Sequence, residues 1–252
     1  MTNTLIGYDN KLDTGTVVAS DDPAATPKEN AYDWMLFDYW QPAAATSHTL
    51  DIDMGSAVDV DYFAFYSSDL YTEAGASVKL YGGSSNPATT LIGTISPTTR
   101  GPKFKSVASN NYRYWRLEIS TTGSFSPKIQ LASLGEKLEL QRGLRDGFAP
   151  PALGSRNMPV TSVSQNGLFL GRSLEVAPVK FNLSMTNLTA AWVRSNWPNL
   201  LAHIEKYPFW ILPQPDDYND EAVIAWTSGK VAQPAYSDAA FMQVNLALEA
   251  FA

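Results

Sequence analysis

Leu50, Ile52 and Met54 alternate with Asp51 and Asp53. A period of two sets apolar side chains on one face of an extended strand and carboxylates on the other. The same alternation returns in Tyr112-Arg113-Tyr114-Trp115-Arg116-Leu117-Glu118-Ile119. Val58 to Tyr66 begins with the alternation and then loses its polar members, the pattern of a strand that starts at a rim and ends covered on both faces. Ser77–Tyr81, Thr90–Ile95 and Glu136–Leu140 read as further strands, separated by Gly/Pro/Ser turns such as Gly55-Ser56 and Gly82-Gly83. Short strands at this spacing, with no long helical pattern between them, predict an all-β sandwich or jelly roll.

Residues 141–160 read as a join, polar and glycine-punctuated and then marked by Pro150-Pro151. Beyond it, Val160–Ser164 and Leu174–Leu183 flank Gln165-Asn166-Gly167, a hairpin signal. A helical region follows over 187–207. Asn187 is its expected cap, and Asn196-Trp197-Pro198 divides it, with Leu200, Leu201, Ile204 and Tyr207 on one face of the second segment. Phe209–Leu212, Ala222–Thr227 and Met242–Ala250 read as closing strands. The expectation is therefore two units, 1–142 and 143–252, both mainly β, the second with one or two helices.

Composition narrows the function. Lys and Arg number 18 against 25 Asp and Glu, a net charge of −7, which argues against nucleic acid and against a polybasic membrane surface. No apolar run approaches the ~20 residues of a membrane span, and MTNTLIGYDN lacks the basic and apolar regions of a secretory signal. Cysteine is absent, so disulfides, thiolate metal sites and cysteine nucleophiles are excluded. With only His48 and His203, a multi-histidine metal centre is excluded too. No cofactor or metal is expected.

The chemical candidates are few. Asp51/Asp53 and Asp59/Asp61 are carboxylates two apart, able in principle to bind calcium or to act as acid and base, but the favoured reading is the solvated face of a half-buried strand. Asp216-Asp217 with Asp220-Glu221 is the densest acidic cluster and lacks the spacing of a calcium loop. Ser67, Ser68 and Asp69 with His48 have no nucleophile-elbow motif around them, and Gly82-Gly83-Ser84-Ser85 lacks the lysine of a phosphate loop. Asn182 and Asn187 begin glycosylation-type triplets without a secretion signal. Trp34, Tyr39, Trp40, Tyr71 and Tyr112 lie near expected loop ends, where aromatic rings either complete a core or stack on sugars and partners. Of these, Tyr39, Trp40 and Tyr71, with Asp69, form the candidate ligand-binding set. No constellation points to an enzyme.

Two resemblances follow. Asp33-Trp34-Met35-Leu36-Phe37-Asp38-Tyr39-Trp40, the strand Leu50–Gly55, the run Val58–Tyr66 into Ser-Asp-Leu, and Arg113-Tyr114-Trp115-Arg116-Leu117 together resemble discoidin-type (coagulation factor 5/8 C-like) domains over residues 5–140. Ser164-Gln165-Asn166-Gly167 with Gly171-Arg172, the Trp192 helix, Tyr207-Pro208-Phe209-Trp210, Pro215-Asp216-Asp217-Tyr218 and Val223-Ile224-Ala225-Trp226 resemble C-terminal regions of tail-tip and minor tail proteins of long-tailed bacteriophages. The pair implies a discoidin-like jelly-roll sandwich followed by a tail-tube-like β domain. It also implies a non-enzymatic distal tail component of the virion, assembled in the host cytoplasm. Its expected partners are further copies of itself in a closed ring, other tail proteins, and a host-surface glycan. The competing readings are a carbohydrate-binding module contacting host glycans and, third, a glycan hydrolase using Asp51, Asp53, Asp59 or Asp61.

Overall fold

The computed structural model describes residues 3–144 and 147–252. The chain is mainly β, as expected. Its strands run in order β1 (Leu5–Gly7), β2 (Thr16–Ala19), β3 (Ala45–Ser67), β4 (Ser77–Gly83), β5 (Thr90–Ile95), β6 (Lys103–Phe125), β7 (Ile129–Gly135) and β8 (Lys137–Glu139). Then come β9 (Asn157–Val163), β10 (Phe169–Val176), β11 (Val179–Thr189), helix α1 (Ala190–Ile204), β12 (Phe209–Leu212), β13 (Val223–Thr227), β14 (Ala235–Tyr236) and β15 (Phe241–Phe251).

A front sheet takes the order β2-β3-β6-β4-β5, with β7 also on β3. Gly55-Ser56 does not end a strand, contrary to the sequence expectation. Asp53 pairs with Tyr114 and Val58 with Tyr112, so residues 54–57 bulge out of one continuous β3. Gly55 permits the bulge at φ +72. The early half of β3 pairs with β2 and the late half with β7, and the strand bends over its own core. Leu50 and Ile52 from the early half meet Phe63 and Phe65 from the late half, packed with Trp40, Leu80, Trp115 and Leu117. Burying each large apolar side chain contributes about 1.5–3 kcal/mol relative to exposure.

A back sheet follows the order β11-β15-β13-β12-β1-β8, with β14 on β15. Its members β1 and β8 come from the first 142 residues: Leu5, Ile6 and Gly7 pair with Leu212, Ile211 and Trp210 on one side and with Glu139, Leu138 and Lys137 on the other. The sheet's two faces then divide by strand period. Ile6, Phe209, Ile211, Val223 and Ala225 face α1. Leu5, Trp210, Leu212 and Ile224 face the front sheet, where they meet Tyr62, Ala64, Tyr66 and Leu131. The alternate residues Phe63 and Phe65 point the other way. Late β3 is therefore covered on both faces, as its loss of polar partners predicts.

The helical region departs from expectation. It is one helix, Ala190–Ile204, running through Pro198. Pro198 removes one N–H from the ladder and normally kinks a helix interior. The capping residue is Thr189, whose Oγ1 accepts from the Trp192 N–H at 3.3 Å, because Asn187 sits at φ +57 in a bulge of β11. Gln141 braces the same cap, accepting from the Thr189 N–H at 2.8 Å. The buried face is Val193, Leu200 and Ile204; Tyr207 lies outside it, 45 % exposed. The expected strand Leu174–Leu183 is likewise two strands, broken at Ala177-Pro178.

Gly82 shows why a small residue ends β4. A Cβ there would enter the rings of Tyr112 and Trp115. The glycine pair thus serves close packing in the front sandwich.

Candidate functional site

Three loops gather at one end of the front sandwich, and hydrogen bonds fix them. Ser67 Oγ donates to Asp69 Oδ1 at 3.0 Å, and the Lys128 N–H donates to the same oxygen at 3.0 Å. Leu70 N–H donates back to Ser67 Oγ at 3.1 Å. A second clamp joins Ser68 to Gln130 in both directions, at 2.9 and 2.8 Å. Asp69 thereby starts the 3-10 turn Leu70–Thr72 that carries Tyr71. Lys128 also places its ammonium 5.2 Å above the centroid of the Tyr39 ring, a cation–π contact. Asn30 Nδ2 holds the Tyr39 carbonyl at 3.2 Å.

The structure thus brings Tyr39, Asp69 and Tyr71 to one end, all half-buried. Trp40, the fourth member of the sequence-derived set, faces the core. It is 0 % exposed, its indole N–H donates to the Asp21 carbonyl at 2.9 Å, and its backbone pairs with Ile129. A fully buried indole offers no face to a ligand. Trp34 is also buried, at φ +65, with its indole N–H on Asp13 Oδ2 at 3.0 Å and its ring edge-on to His203 of α1 at 4.8 Å. It ties the front sandwich to the helix. Sequence reasoning missed Phe37, 82 % exposed in the same loop, and Lys128. The aromatic run Trp34 to Trp40 contained Phe37, but nothing local distinguishes the ring that turns out from the two that turn in.

The strand carboxylates serve the sheet. Arg116 clamps Asp51 at 2.6 and 2.9 Å, and Arg113 clamps Asp53 at 2.7 and 2.8 Å, both bidentate across β3–β6. The Arg113 bonds hold the Asp53 carboxyl down at about 2. Asn111 donates to Asp59 at 3.0 Å, and Lys137 meets Asp61 at 3.0 Å. The first three are cross-strand pairs within β3–β6 and the last links β3 to the start of β8; all are small surface contributions to stability, and no two are arranged as a free acid and base. Ser67 spends its hydroxyl on Asp69, while His48 is buried with Nε2 on the Phe125 carbonyl at 2.9 Å, so they form no triad. Among the described residues no group of three or more His, Asp or Glu is placed to hold a metal ion. In the acidic loop, Asp220 lies 3.9 Å from Lys103, whose ammonium burial pushes down.

A polar cleft of about 430 Å³ opens where the two sheets meet, lined by Tyr8, Asp9, Lys11, Glu136 and Asn199. Its two lysines are already paired: Lys11 Nζ sits 2.7 Å from Asp9 and 3.8 Å from Glu136, and Lys137 Nζ sits 3.0 Å from Asp61. Burial, with the charges of Asp9 and Glu136, pushes the Tyr8 hydroxyl up.

No family model and no curated protein sequence matches the chain. Solved structures do show likenesses. The GH29 fucosidase of Ruminococcus gnavus in complex with fucose aligns over 52 % of this chain and 27 % of its own, at 15 % identity and TM-score 0.45, so the chain spans about a quarter of that enzyme. Chitosan-binding module 1 of a Paenibacillus sp. IK-5 chitosanase/glucanase aligns over 51 % of this chain and 99 % of its own, at 15 % identity and TM-score 0.44. The CBM32 module of AlyQ, in complex with 4,5-unsaturated mannuronic acid, aligns over 51 % and 96 %, at 22 % identity and TM-score 0.40.

Proposed function

We propose that the chain is a non-catalytic protein that binds carbohydrate at the loop end of its front sandwich. The observation that carries this reading is Lys128, which joins Tyr39 and Asp69 in one fixed cluster, with the exposed Phe37 two residues before Tyr39 in the same loop. Sugars present apolar C–H faces rimmed by hydroxyls, and flat aromatic rings beside anchored polar groups match both parts. The test is calorimetric titration with chitotriose, fucose, unsaturated mannuronate and bacterial envelope polysaccharides. Saturable binding is expected to one of them, weakened on the order of tenfold or more, about 1.4 kcal/mol, by Phe37→Ala or Tyr39→Ala, with melting unchanged. Flat titrations across the panel overturn it.

A second reading has its own support. The chain is a structural subunit of a phage tail tip, a homo-oligomeric ring in the virion tail that contacts other tail proteins. The supporting observation is the β9–β10 hairpin, exposed along both strands and rich in apolar residues. Monomers carry such surfaces rarely, and subunits carry them commonly. Antibodies against the chain are expected to label tail tips of the virions; unlabelled virions and a monomeric solution mass sink this reading.

A further inference from the structure

Among the described residues, the β9–β10 hairpin pairs only with itself. Val163, Leu168, Phe169, Leu170, Leu174 and Val176 are each 60–69 % exposed. Cross-strand register places Phe169 opposite Val163 and Leu174 opposite Pro159, and with Val176 these share one face. Arg172 and Thr161, bonded to each other at 3.1 Å, lie between them. The four residues of that face expose roughly 450 Å², about half of the ~800 Å² that each partner contributes to a standard stable interface, the size of a smaller contact that other surfaces of the two copies complete. The hairpin carries one Arg and one Glu, so its strands are neutral in a chain of net charge −7. Its partner surface is therefore expected to be apolar rather than basic.

The same chain holds such a surface elsewhere. An open groove of about 360 Å³ lies along α1, formed by Val193, Trp197, Pro198, Pro234 and Met242, with Arg194 as its charged member. Hairpin and groove stand at opposite ends of β11. The hairpin joins β11 through Ala177-Pro178 at Val179, while Met242 of the groove pairs with Leu188 near the far end. Nine residues of strand at about 3.3 Å each separate them by roughly 30 Å. Within one chain the arm leaves the groove open. A second copy brings an arm to each groove.

We infer that the β9–β10 hairpin is a docking arm for another copy of this chain, seating its Val163–Phe169–Leu174–Val176 face on the neighbour's α1 groove. This rests on the self-assembly reading above and names its contact. Arm and groove are different surfaces, so the contact is head-to-tail, and it closes into a ring or propagates, according to the rotation per subunit.

The test uses the full chain and light scattering. An arm variant carries Phe169→Asp and Leu174→Asp, both at exposed positions. A groove variant carries Pro234→Asp, with the surface change Gln233→Asp as its alternative should Pro234→Asp lower the melting temperature. Wild type is expected to form multimers, and each variant alone to run as a 27.6 kDa monomer with native melting. An equal mixture of the two is expected to yield a species of twice that mass and nothing larger, because one intact arm and one intact groove remain. A monomeric wild type overturns both this contact and the assembly reading. A multimer that survives the arm variant, or variants that do not complement on mixing, overturns the arm-to-groove contact and leaves assembly standing.

Discussion

Late β3 and the β9–β10 hairpin are both short strands rich in apolar residues, and their surroundings are opposite. Residues 62–67 are buried without exception, with Phe63 and Phe65 in the sandwich core and Tyr62, Ala64 and Tyr66 against the back sheet. Residues 157–163 are exposed without exception. A strand covered on both faces is held by neighbours on every side, and its side chains carry folding energy. A hairpin covered on neither face contributes its backbone ladder alone, since an isolated two-stranded ribbon is marginal in water. Its apolar residues are thus free for association. Covered and uncovered apolar strands thus lie apart along the chain, and the proposed association falls on the uncovered one.

Four substitutions and conditions probe that separation. Phe63→Ala is expected to destabilise the fold by about 3–5 kcal/mol, through lost transfer energy and the cavity left behind. Urea unfolding measures it, and a loss below 1 kcal/mol would show that late β3 is not the anchor described here. Gly82→Ala is expected to cost about 1–3 kcal/mol by overpacking against Tyr112 and Trp115, read as a lower melting temperature. Thr189→Ala removes the α1 cap and is expected to cost about 1 kcal/mol, with Gln141 left partly unpaired. At the other end of the scale, Leu174→Ser at low protein concentration is expected to leave stability within about 0.5 kcal/mol of wild type. A larger loss would mean that the hairpin packs on its own chain.

His203 adds a pH dependence to the covered side. Burial between Tyr8, Trp34 and Tyr207 lowers its pKa, partly opposed by the Pro208 carbonyl. Below the ordinary value of ~6.5 the unfolded chain binds the proton and the folded chain resists it, so stability falls as pH drops through that window. Melting temperatures measured downward from pH 7 are expected to decline, and His203→Gln is expected to flatten the decline. An unchanged slope in the variant assigns the effect to other groups.

Much of this was legible in the residues. The alternation of Leu50–Met54 and Tyr112–Ile119, the double burial of late β3 and the Asn166-Gly167 hairpin turn, with Gly167 at φ +77, are all present. Of the four candidate ligand residues, Tyr39 and Asp69 both touch Lys128 and Trp40 is buried, while a ligand role for the set is a matter for titration. Trp40 was not separable from Tyr39, because adjacent aromatics in an irregular loop share no period that assigns them faces. Phe37 was missed for the same reason. The unbroken helix through Pro198 was also out of reach, since local propensity argues against it and tertiary packing of Val193, Leu200 and Ile204 overrides it.

Sequence by itself determined what is local. Strand period, turn chemistry and the exclusion of thiol chemistry follow from neighbouring residues or from composition, whereas the arginines that clamp Asp51 and Asp53 lie 65 and 60 residues away along the chain. Tertiary structure alone decided what covers what. Leu5–Gly7 became an inner strand of the back sheet between β12 and β8, and Asn157–Val176 an uncovered hairpin. Strand period records which side chains share a face, whereas burial depends on which distant segment arrives to cover that face.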